Sequence, residues 1–424
     1  MGRELFQQFP VFRQSVLEMD AIFERVTGKS IIRDYGLFDK STAPALPEIW
    51  PIALVLPSIA IFQMALYDLL TSLGVKPDAV VGHSAGETAV LYASGAASKS
   101  MAVELAIIRG KSFTPIEELG GTMAALSCTP EVLDELLADH RKANPKALVE
   151  LACYNSPSAV AIAGEEVAID AVVAAASARG IFARKIRTKV PFHSSMMESS
   201  KKVYTAALKD LFNRYPGVHI PKTATFSTCT GNLFEESFDA QYYWSNTRAP
   251  VHFTQTMESI GEAHPNATFV ELSPHPVLVP YIMSMISETS TVCHSVQRPK
   301  RGSPSTEHID VLHILGKVTS AGYNGVDFTT LNGRTCSEFA LPLPAYPFVK
   351  KRYPLYPDTP GVAKQMEVPR GPINHAYLRM NKDTHPMLAE HIIRGQPIMP
   401  AAGYLEMVSS RRLLCGIPFR ITIC

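Results

Sequence analysis

The segment "AVVGHSAGETAV", residues 79–90, constrains the fold more than any other part of the sequence. Its apolar start predicts a short buried strand, and the helix-forming residues that follow predict a helix. Between them, Gly82, Ser84 and Gly86 fit the G-x-S-x-G pattern of a nucleophile on a sharp strand-to-helix turn, because glycines let the backbone turn tightly. The N-terminus of the helix would then face an oxyanion formed at the serine. The alternative interpretation is a small residue in an ordinary glycine-containing loop.

The residues on either side of this turn predict further helices. Apolar residues recur at helical spacing over 58–73, and Gly74 ends that helix. A second helix is predicted over 101–110, ending at Gly110. Strands that alternate with helices are typical of a parallel sheet covered on both faces. We therefore expect an α/β fold with a parallel-sheet, hydrolase-like core.

A different pattern begins near residue 122. Over 122–187 the sequence predicts the order strand, helix, strand, strand, helix, strand. Thr129 stands at the N-cap of the first helix, and Gly180 ends the second. This order is that of a ferredoxin-like module. We therefore expect a small ferredoxin-like subdomain inserted into the larger α/β domain.

Proline-rich segments in the last third of the chain predict a linker. "QRPKRGSPS" and later "LPLPAYPFVKKRYPLYPDTPG" have linker composition, although an irregular surface loop of the same domain would look similar. We predict a first domain over 1–300, a linker over 301–371 and a third unit over 372–424.

Composition argues against several classes of function. The chain of 424 residues has 40 Lys and Arg against 39 Asp and Glu, with no basic stripe, so we expect no nucleic-acid partner. Its seven cysteines form no C-x-x-C pair, so we expect neither a disulfide framework nor a metal site, and a cytoplasmic setting. The apolar stretch 49–70 is interrupted by Pro51, Pro57 and Gln63, which predicts a buried core helix and no membrane span.

A serine hydroxyl needs a neighbouring base before it becomes a useful nucleophile. His83 is adjacent in sequence, but neighbours across such a turn point apart. His193, in "VPFHSSMM", follows the last strand of the insert, where the chain returns to the main sheet. His275, in "LSPHPVL", is the second candidate. For either residue, the alternative is a hydrogen-bonded histidine with a structural role.

Several motifs in a fixed order resemble one family. They are "GHSAGE", Arg109 in "IIRG", "PFHSSM", "STCTGN", "YYWSNTRAPVHF" and "ELSPHPVL". Together they resemble the malonyl-CoA:acyl-carrier-protein acyltransferase domain of polyketide and fatty acid synthases, in particular of fungal-type iterative reducing polyketide synthases. The resemblance extends over residues 1 to about 300 and includes the ferredoxin-like insertion.

The resemblance implies a reaction that proceeds through a seryl ester. Ser84 would attack the thioester of malonyl-CoA, and His193 would take its proton and later activate the thiol of the carrier. The N–H of Ala85 would donate to the oxyanion. No covalently bound cofactor is implied in this chain; malonyl-CoA is the substrate, and the phosphopantetheine belongs to the partner carrier protein.

The resemblance also suggests residues that bind the substrate. A guanidinium can bind a carboxylate through two hydrogen bonds, so Arg109 would select a diacid; without the resemblance, the sequence would favour an exposed arginine at a helix end. Phe192 fits the pattern associated with malonyl rather than methylmalonyl units. Asn155 and Asn246 lie in motifs near the family's pocket, and His275 would support the site.

A second resemblance lies near the end of the sequence. In "HPMLAEHIIRGQPIMPAAGYLEM", residues His391, Gly395 and Pro400 form H-x-x-x-G-x-x-x-x-P. This resembles the start of the hot-dog-fold dehydratase domain of the same synthases, in which His391 would remove the α-proton of a 3-hydroxyacyl chain. The partner acid of that family lies more than a hundred residues further on, so we expect a truncated dehydratase.

The start of the sequence raises a related expectation. Family members open with a strand and a G-Q-G-x-Q loop that supplies a second oxyanion donor, and "MGRELF" corresponds to the residues just after it. Loss of one such donor typically costs about 100- to 1,000-fold in turnover. The carrier protein, the ketosynthase and the rest of the dehydratase would be the partners.

Two other functions compete with acyl transfer. A serine hydrolase shares the turn but releases its acyl group to water, usually has its residues in the order Ser, Asp or Glu, His, and needs no carboxylate-binding arginine. A catalytically impaired fragment that only binds CoA or a synthase partner is the third hypothesis.

Overall fold

The computed structural model describes residues 2–39, 46–294, 296–297, 303–333 and 390–404. The chain divides into two compact units, 1–342 and 343–424. The helices of the described residues are α1 (Arg3–Gln8), α2 (Pro10–Thr27), α3 (Ile52–Ser72), α4 (Glu87–Ala93), α5 (Lys99–Phe113), α6 (Pro130–Ala143), α7 (Glu166–Ala178), α8 (Lys201–Arg214), α9 (Ala240–Arg248), α10 (Phe253–Ala263), α11 (Val279–Met283), α12 (Glu307–Ser320) and α13 (Phe328–Leu331). The strands are β1 (Ala79–Gly82), β2 (Gly121–Leu126), β3 (Val149–Ser156), β4 (Ala159–Glu165), β5 (Ala183–Lys185), β6 (Ala224–Ser227), β7 (Asn232–Leu233), β8 (Thr268–Val270), β9 (Thr291–Cys293), β10 (Ile392–Ile393) and β11 (Gln396–Pro397).

The larger part of the first unit is a mixed α/β fold built around two short parallel pairings. β1 pairs parallel with β6, in the register Val81 to Phe226, and β7 continues that sheet antiparallel to β6. β8 pairs parallel with β9 in a separate two-stranded sheet. The apolar run before Ser84 thus forms a strand, as predicted, and α4 follows it.

A cavity of about 780 Å³ lies between these two sheets. Residues of β1 and β8 line it together with side chains of α3. Its lining continues to His83 and Gly86, on either side of Ser84. Within the described part of the chain, β1 and β8 are edge strands of their sheets.

Two helix boundaries differ from the prediction because tertiary packing overrides local signals. The predicted start at residue 58 is wrong, since α3 begins at Ile52 and contains Pro57. Pro57 has no N–H to donate to the carbonyl of Ala53, so the helix loses one hydrogen bond there, and the burial of the apolar residues on both sides of it outweighs that loss. The predicted end at Gly110 is also wrong, because α5 continues to Phe113. A Cβ on Gly110 would lie 2.8 Å from Cα of Ala53, so this glycine permits close contact between α3 and α5.

The α3 helix is a core helix. Among the described residues it is the one helix long and apolar enough to cross a membrane, yet 67% of its most apolar window is buried within the protein. Phe62, Met64 and Leu66 are fully buried. Burial of a side chain of this size contributes roughly 1.5–3 kcal/mol.

The insert forms a four-stranded antiparallel sheet in the order β3-β4-β2-β5. The observed order of its elements, strand, helix, strand, strand, helix, strand, is the predicted one. Helices α6 and α7 pack on the sheet around a small core that includes Leu133, Ile162 and Ile169. Thr129 accepts a hydrogen bond from the N–H of Val132, as expected of an N-cap.

The edge of the insert continues into the larger part of the unit through main-chain bonds. On the side of β3 away from β4, the N–H of Val251 donates to the carbonyl of Ala152 at 2.8 Å. The N–H of Tyr154 donates in turn to the carbonyl of Val251 at 2.9 Å. The segment that follows α9 is therefore held by the insert.

Helices α12 and α13 lie within the predicted linker 301–371. Glu307, at the start of α12, is buried and accepts hydrogen bonds from the N–H groups of Gly2 at 2.7 Å and Glu4 at 3.0 Å. A carboxylate at a helix N-terminus pairs with donors that lack intrahelical acceptors. These residues thus pack on α1, whereas 334–371 lie outside the described residues.

The described residues of the second unit form a β-hairpin. β10 and β11 pair antiparallel around Arg394 and Gly395, both with positive φ. The exposed ring of His391 donates through Nδ1 to the carbonyl of Ile398 at 2.7 Å. Residues 372–389 and 405–424 of the predicted dehydratase start lie outside the described residues.

Candidate active site

Ser84 stands on a strained turn at the end of β1. Its φ of 52° lies in the left-handed region, which costs a non-glycine residue about 1–3 kcal/mol and persists only where surrounding contacts enforce it. A single 3₁₀ turn, Ser84–Gly86, leads directly into α4. A Cβ on Gly82 would lie 2.6 Å from the backbone N of Glu87, so the turn closes only with glycine there. The turn therefore has the geometry expected of a nucleophile elbow.

The side chain of Ser84 meets that of His193. The distance between Oγ of Ser84 and Nε2 of His193 is 2.7 Å. On its other side, Nδ1 of His193 lies 2.8 Å from the carbonyl oxygen of Ala249. A carbonyl only accepts, so Nδ1 carries the proton, and Nε2 accepts the hydrogen bond from the serine hydroxyl. This tautomer is the one required of a base for serine.

His193 is held in its place by the backbone around it. It is 1% exposed, has a φ of 63°, and donates its own N–H to the carbonyl of Thr247 at 3.0 Å. Burial is the main cause that lowers its pKa to about 3, with smaller contributions from His83 and the positive charge of Arg109. His193 is therefore neutral at physiological pH and able to accept a proton.

Two asparagines predicted near the pocket contact the turn. Oδ1 of Asn155 lies 2.8 Å from Nε2 of His83, so the adjacent histidine is bonded to the insert. Nδ2 of Asn246 donates to the carbonyl of Ser84 at 3.3 Å, while its buried Oδ1 has no protein partner among the described residues. Asn155 thus holds the imidazole of the residue before Ser84, and Asn246 holds the carbonyl of Ser84 itself.

Arg109 is buried without a carboxylate within ion-pair distance among the described residues. The side chain is 1% exposed; Nη1 donates to Oγ1 of Thr88 at 2.8 Å, and Nε has no partner there. The alternative of an exposed arginine at a helix end does not hold, because the side chain is buried and α5 continues past it. A buried cation is costly unless something pairs with it, so the site is suited to an anionic ligand.

Three other residues were predicted from the sequence to belong to the site: Phe192, Ala85 and His275. Phe192 packs edge-on against Phe113, with ring centroids 5.6 Å apart, beside His193. The N–H of Ala85 lies at the start of the 3₁₀ turn, where it has no intrahelical acceptor. His275 is exposed in the loop after β8, and its carbonyl accepts from Ser273.

Sequence reasoning gave no role to Glu87, although it directly follows the G-x-S-x-G pattern. Its fully buried carboxylate accepts from the N–H and hydroxyl of Thr228, both at 2.9 Å, and from the hydroxyl of Tyr242 at 2.9 Å. The hydroxyl of Thr228 also contacts the carbonyl of Gly82 at 2.8 Å. Burial raises the pKa of Glu87 to about 7, against these hydrogen bonds and the charge of Arg109. The sequence did offer one sign of this contact, because Glu87 is a charged residue on the side of α4 that is otherwise apolar and buried. Through Thr228, its carboxylate links the turn to the residue after β6.

No group of three or more histidine, cysteine, aspartate or glutamate side chains in the described part of the chain is arranged to hold a metal ion. The centre consists instead of a serine, a neutral histidine oriented by a main-chain carbonyl, and a buried arginine. A strand–turn–helix of an α/β fold that carries these groups has the geometry of enzymes that form an acyl ester on serine.

The comparisons identify the family. The acyl transferase domain family matches residues 1–324. The chain is 43% identical, over 96% of its length, to the highly reducing polyketide synthase stpks1 of Strobilurus tenacellus. It is 28% identical, over 96% of its length, to a phenolphthiocerol/phthiocerol polyketide synthase from Mycobacterium tuberculosis. The chain belongs to the acyl transferase domain family and is an acyltransferase, similar to the acyltransferase domains of polyketide synthases.

Solved structures support the same assignment. The acyltransferase domain from the second module of the salinomycin polyketide synthase aligns with a TM-score of 0.66 and 26% identity, over 82% of this chain and 76% of that one. The malonyl CoA-acyl carrier protein transacylase of Clostridium perfringens aligns with a TM-score of 0.60 and 25% identity, over 76% and 93%. The chain spans 15% of the Strobilurus relative and 21% of the mycobacterial one.

Proposed function

We propose that this acyltransferase transfers malonyl from malonyl-CoA to the phosphopantetheine thiol of an acyl carrier protein. The main support for this proposal is Arg109. Its guanidinium is buried without an ion-pair partner among the described residues, and its positive charge contributes to lowering the pKa of His193. A malonyl carboxylate would supply the missing negative charge. The similarity to a transacylase whose name specifies malonyl-CoA also supports this substrate.

The first half-reaction forms the ester. Oγ of Ser84 attacks the thioester carbonyl and gives its proton to Nε2 of His193, while the N–H of Ala85 donates to the oxyanion. The C–S bond then breaks, and the proton on His193 passes to the CoA sulfur. Arg109 holds the carboxylate throughout, so the reacting carbonyl stays next to the serine.

The second half-reaction transfers the acyl group to the carrier. The phosphopantetheine thiol gives its proton to His193, and its sulfur attacks the seryl ester. When the tetrahedral intermediate collapses, the C–O bond to Ser84 breaks and His193 returns the proton to Oγ. No cofactor bound to this chain takes part, and the carrier, the ketosynthase and the remaining dehydratase are the partners within a parent synthase.

Neighbouring residues have supporting roles in this proposal. Asn155 fixes the side chain of His83, Asn246 fixes the carbonyl of Ser84, and Phe192 shapes the pocket for an unbranched malonyl group. His275 supports the site from the loop after β8.

We also propose the finer organisation predicted from the sequence. Residues 1–300 form the acyltransferase domain, with the insert at 122–187, followed by a linker over 301–371. Residues 372–424 begin a dehydratase in which His391, directly before β10, is the base. We place the protein in the cytoplasm, as part of a fungal-type iterative reducing synthase.

Incubation with labelled malonyl-CoA or acetyl-CoA tests the substrate. Malonyl should label the native protein and not Ser84→Ala. Arg109→Ala should lower malonyl labelling about 10- to 100-fold and acetyl labelling little, since a charged hydrogen-bonded pair contributes about 1.5–3 kcal/mol. Lys111→Ala, an exposed cation on the same helix, is the matched control and should resemble the native protein. Equal loss of malonyl and acetyl labelling in Arg109→Ala would contradict carboxylate recognition.

A further inference from the structure

The carboxylate of Glu150 contacts both chain segments that hold His193. Glu150 lies on β3, and its Oε1 accepts a hydrogen bond from the N–H of Ser195 at 2.8 Å. Its Oε2 lies 3.2 Å from Nη1 of Arg248. Ser195 is two residues after His193, and Arg248 directly precedes Ala249, whose carbonyl orients the imidazole. One side chain of the insert thus joins the backbone two residues after the base to the side chain of the residue before its acceptor.

Main-chain contacts of the same strand strengthen this link. Val251, two residues after Ala249, bonds to Ala152 and Tyr154 at the free edge of β3. That edge and the Glu150 side chain therefore fix the 248–251 segment at two points. The acceptor for Nδ1 of the imidazole is placed by the insert.

The base is in a conformation that requires such restraint. His193 has a positive φ, which is unfavourable for a residue with a Cβ and is kept only by surrounding contacts. A hydrogen bond from a backbone N–H to a carboxylate is shorter and stronger than one to a neutral acceptor. Arg248 adds a contact of 3.4 Å to Glu198, on the turn that follows His193, so both carboxylates hold this arginine.

We infer that Glu150 is a positioning residue for His193, through which the inserted subdomain sets the geometry of the serine–histidine pair. Glu150 touches neither Ser84 nor the acyl group. It acts through Ser195 and Arg248 on the orientation of the imidazole. The inference rests on the proposed function in that His193 is the base for Ser84.

A fluorophosphonate that reacts with activated serines is a suitable probe, because its reaction requires the serine–histidine pair and no recognition of malonyl or CoA. Glu150→Ala should react on the order of 10-fold more slowly than the native chain, since small displacements of reacting groups cost up to about 100-fold. Glu150→Gln keeps an acceptor for Ser195 and loses the charge facing Arg248, so its rate should lie between the two. Glu166→Gln, which removes an exposed carboxylate paired with Lys185 on the same insert, should react like the native protein.

A spectroscopic measurement separates positioning from stability. The Nδ1 proton of His193, hydrogen-bonded to Ala249, should give a downfield imidazole resonance that shifts or broadens in Glu150→Ala and Glu150→Gln but not in Glu166→Gln. The malonyl-transfer assay should show a lower kcat with KM for malonyl-CoA within about twofold, because Glu150 does not contact substrate.

The outcomes distinguish the inference from the proposed function. If Glu150→Ala is folded and reacts at the native rate with an unchanged Nδ1 resonance, the inference is wrong. If Glu150→Ala does not fold, Glu150→Gln decides, and native values of its probe rate and resonance would equally overturn it. If the native chain reacts with the probe but transfers no malonyl, the proposed substrate fails while the probe rates still decide the role of Glu150. If His193→Ala reacts as fast as the native chain, both fail.

Discussion

Oγ of Ser84 lies 2.7 Å from Nε2 of His193, although 109 positions separate the two residues in the sequence. Both have positive φ, so two unfavourable backbone conformations meet at one hydrogen bond. Since strain of this kind persists only where the surrounding structure enforces it, the fold is organised to keep the pair together.

This pair predicts a flat pH dependence of the first acylation. Because burial lowers the pKa of His193 to about 3, its imidazole stays neutral between pH 5 and pH 8. The pre-steady-state rate of Ser84 acylation should therefore show no inflection near pH 6.5. His193→Ala should reduce that rate by about 100- to 10,000-fold, whereas His313→Ala, an exposed histidine on α12, should not. A rate that halves near pH 6.5 would contradict a neutral buried base.

Stability should fall in mild acid for the same reason. His193 has a pKa of 6.5 when unfolded and about 3 in the fold, so below pH 6.5 the unfolded chain binds a proton that the native chain does not. The free energy of unfolding then decreases as pH falls, by up to about 1.4 kcal/mol per pH unit from this group. His193→Gln should have a shallower slope between pH 6.5 and pH 4 in urea titrations. Identical slopes for the variant and the native chain would count against the depressed pKa.

The free energy of unfolding should depend on pH in the opposite direction at Glu87. Burial raises its pKa from 4.5 to about 7, so between these values the native state holds a proton that the unfolded state releases. The stability contributed by this group is present at low pH and is lost as pH rises to about 7. Glu87→Gln carries no charge, so its free energy of unfolding relative to the native chain should improve from pH 5 to pH 8. Glu118→Gln, an exposed carboxylate, controls for net charge, and a difference independent of pH would refute the raised pKa.

Two glycines in helices should respond in opposite directions to alanine. Gly110→Ala places a Cβ 2.8 Å from Cα of Ala53, and overpacking against backbone should cost about 1–3 kcal/mol. Gly261→Ala meets nothing within 4 Å in α10 and should stabilise by about 0.4–1 kcal/mol. Thermal unfolding of the two variants measures both. Stabilisation by Gly110→Ala would show that α3 and α5 have room to separate.

Local patterns were sufficient for part of this structure. The strand, turn and helix around Ser84 and the order of elements in the insert follow from residues close together in sequence. Pro57 and Gly110 misled the helix boundaries, because whether a proline or glycine ends a helix depends on what packs against it. At Gly110 the deciding contact is with Ala53, 57 positions away, which no local pattern encodes.

The candidate site could likewise be predicted from the sequence only in part. Ser84 is recognisable by its neighbours, whereas His193 was one histidine among several until motif order favoured it. The acceptor for its Nδ1 is the carbonyl of Ala249, and any residue has a carbonyl, so no side chain in the sequence marks it. Glu150 was equally hidden, because its contacts depend on how the insert meets the segment after α9.

The cavity between β1 and β8 also affects how the enzyme should respond to heat. Within the described residues, β1 is hydrogen-bonded to another strand only through β6, and its other edge faces the cavity. A strand supported on one side opens with a smaller free energy than the core around it. Because this strand ends at Ser84, we expect catalytic activity to be lost on heating several degrees before the chain unfolds as a whole.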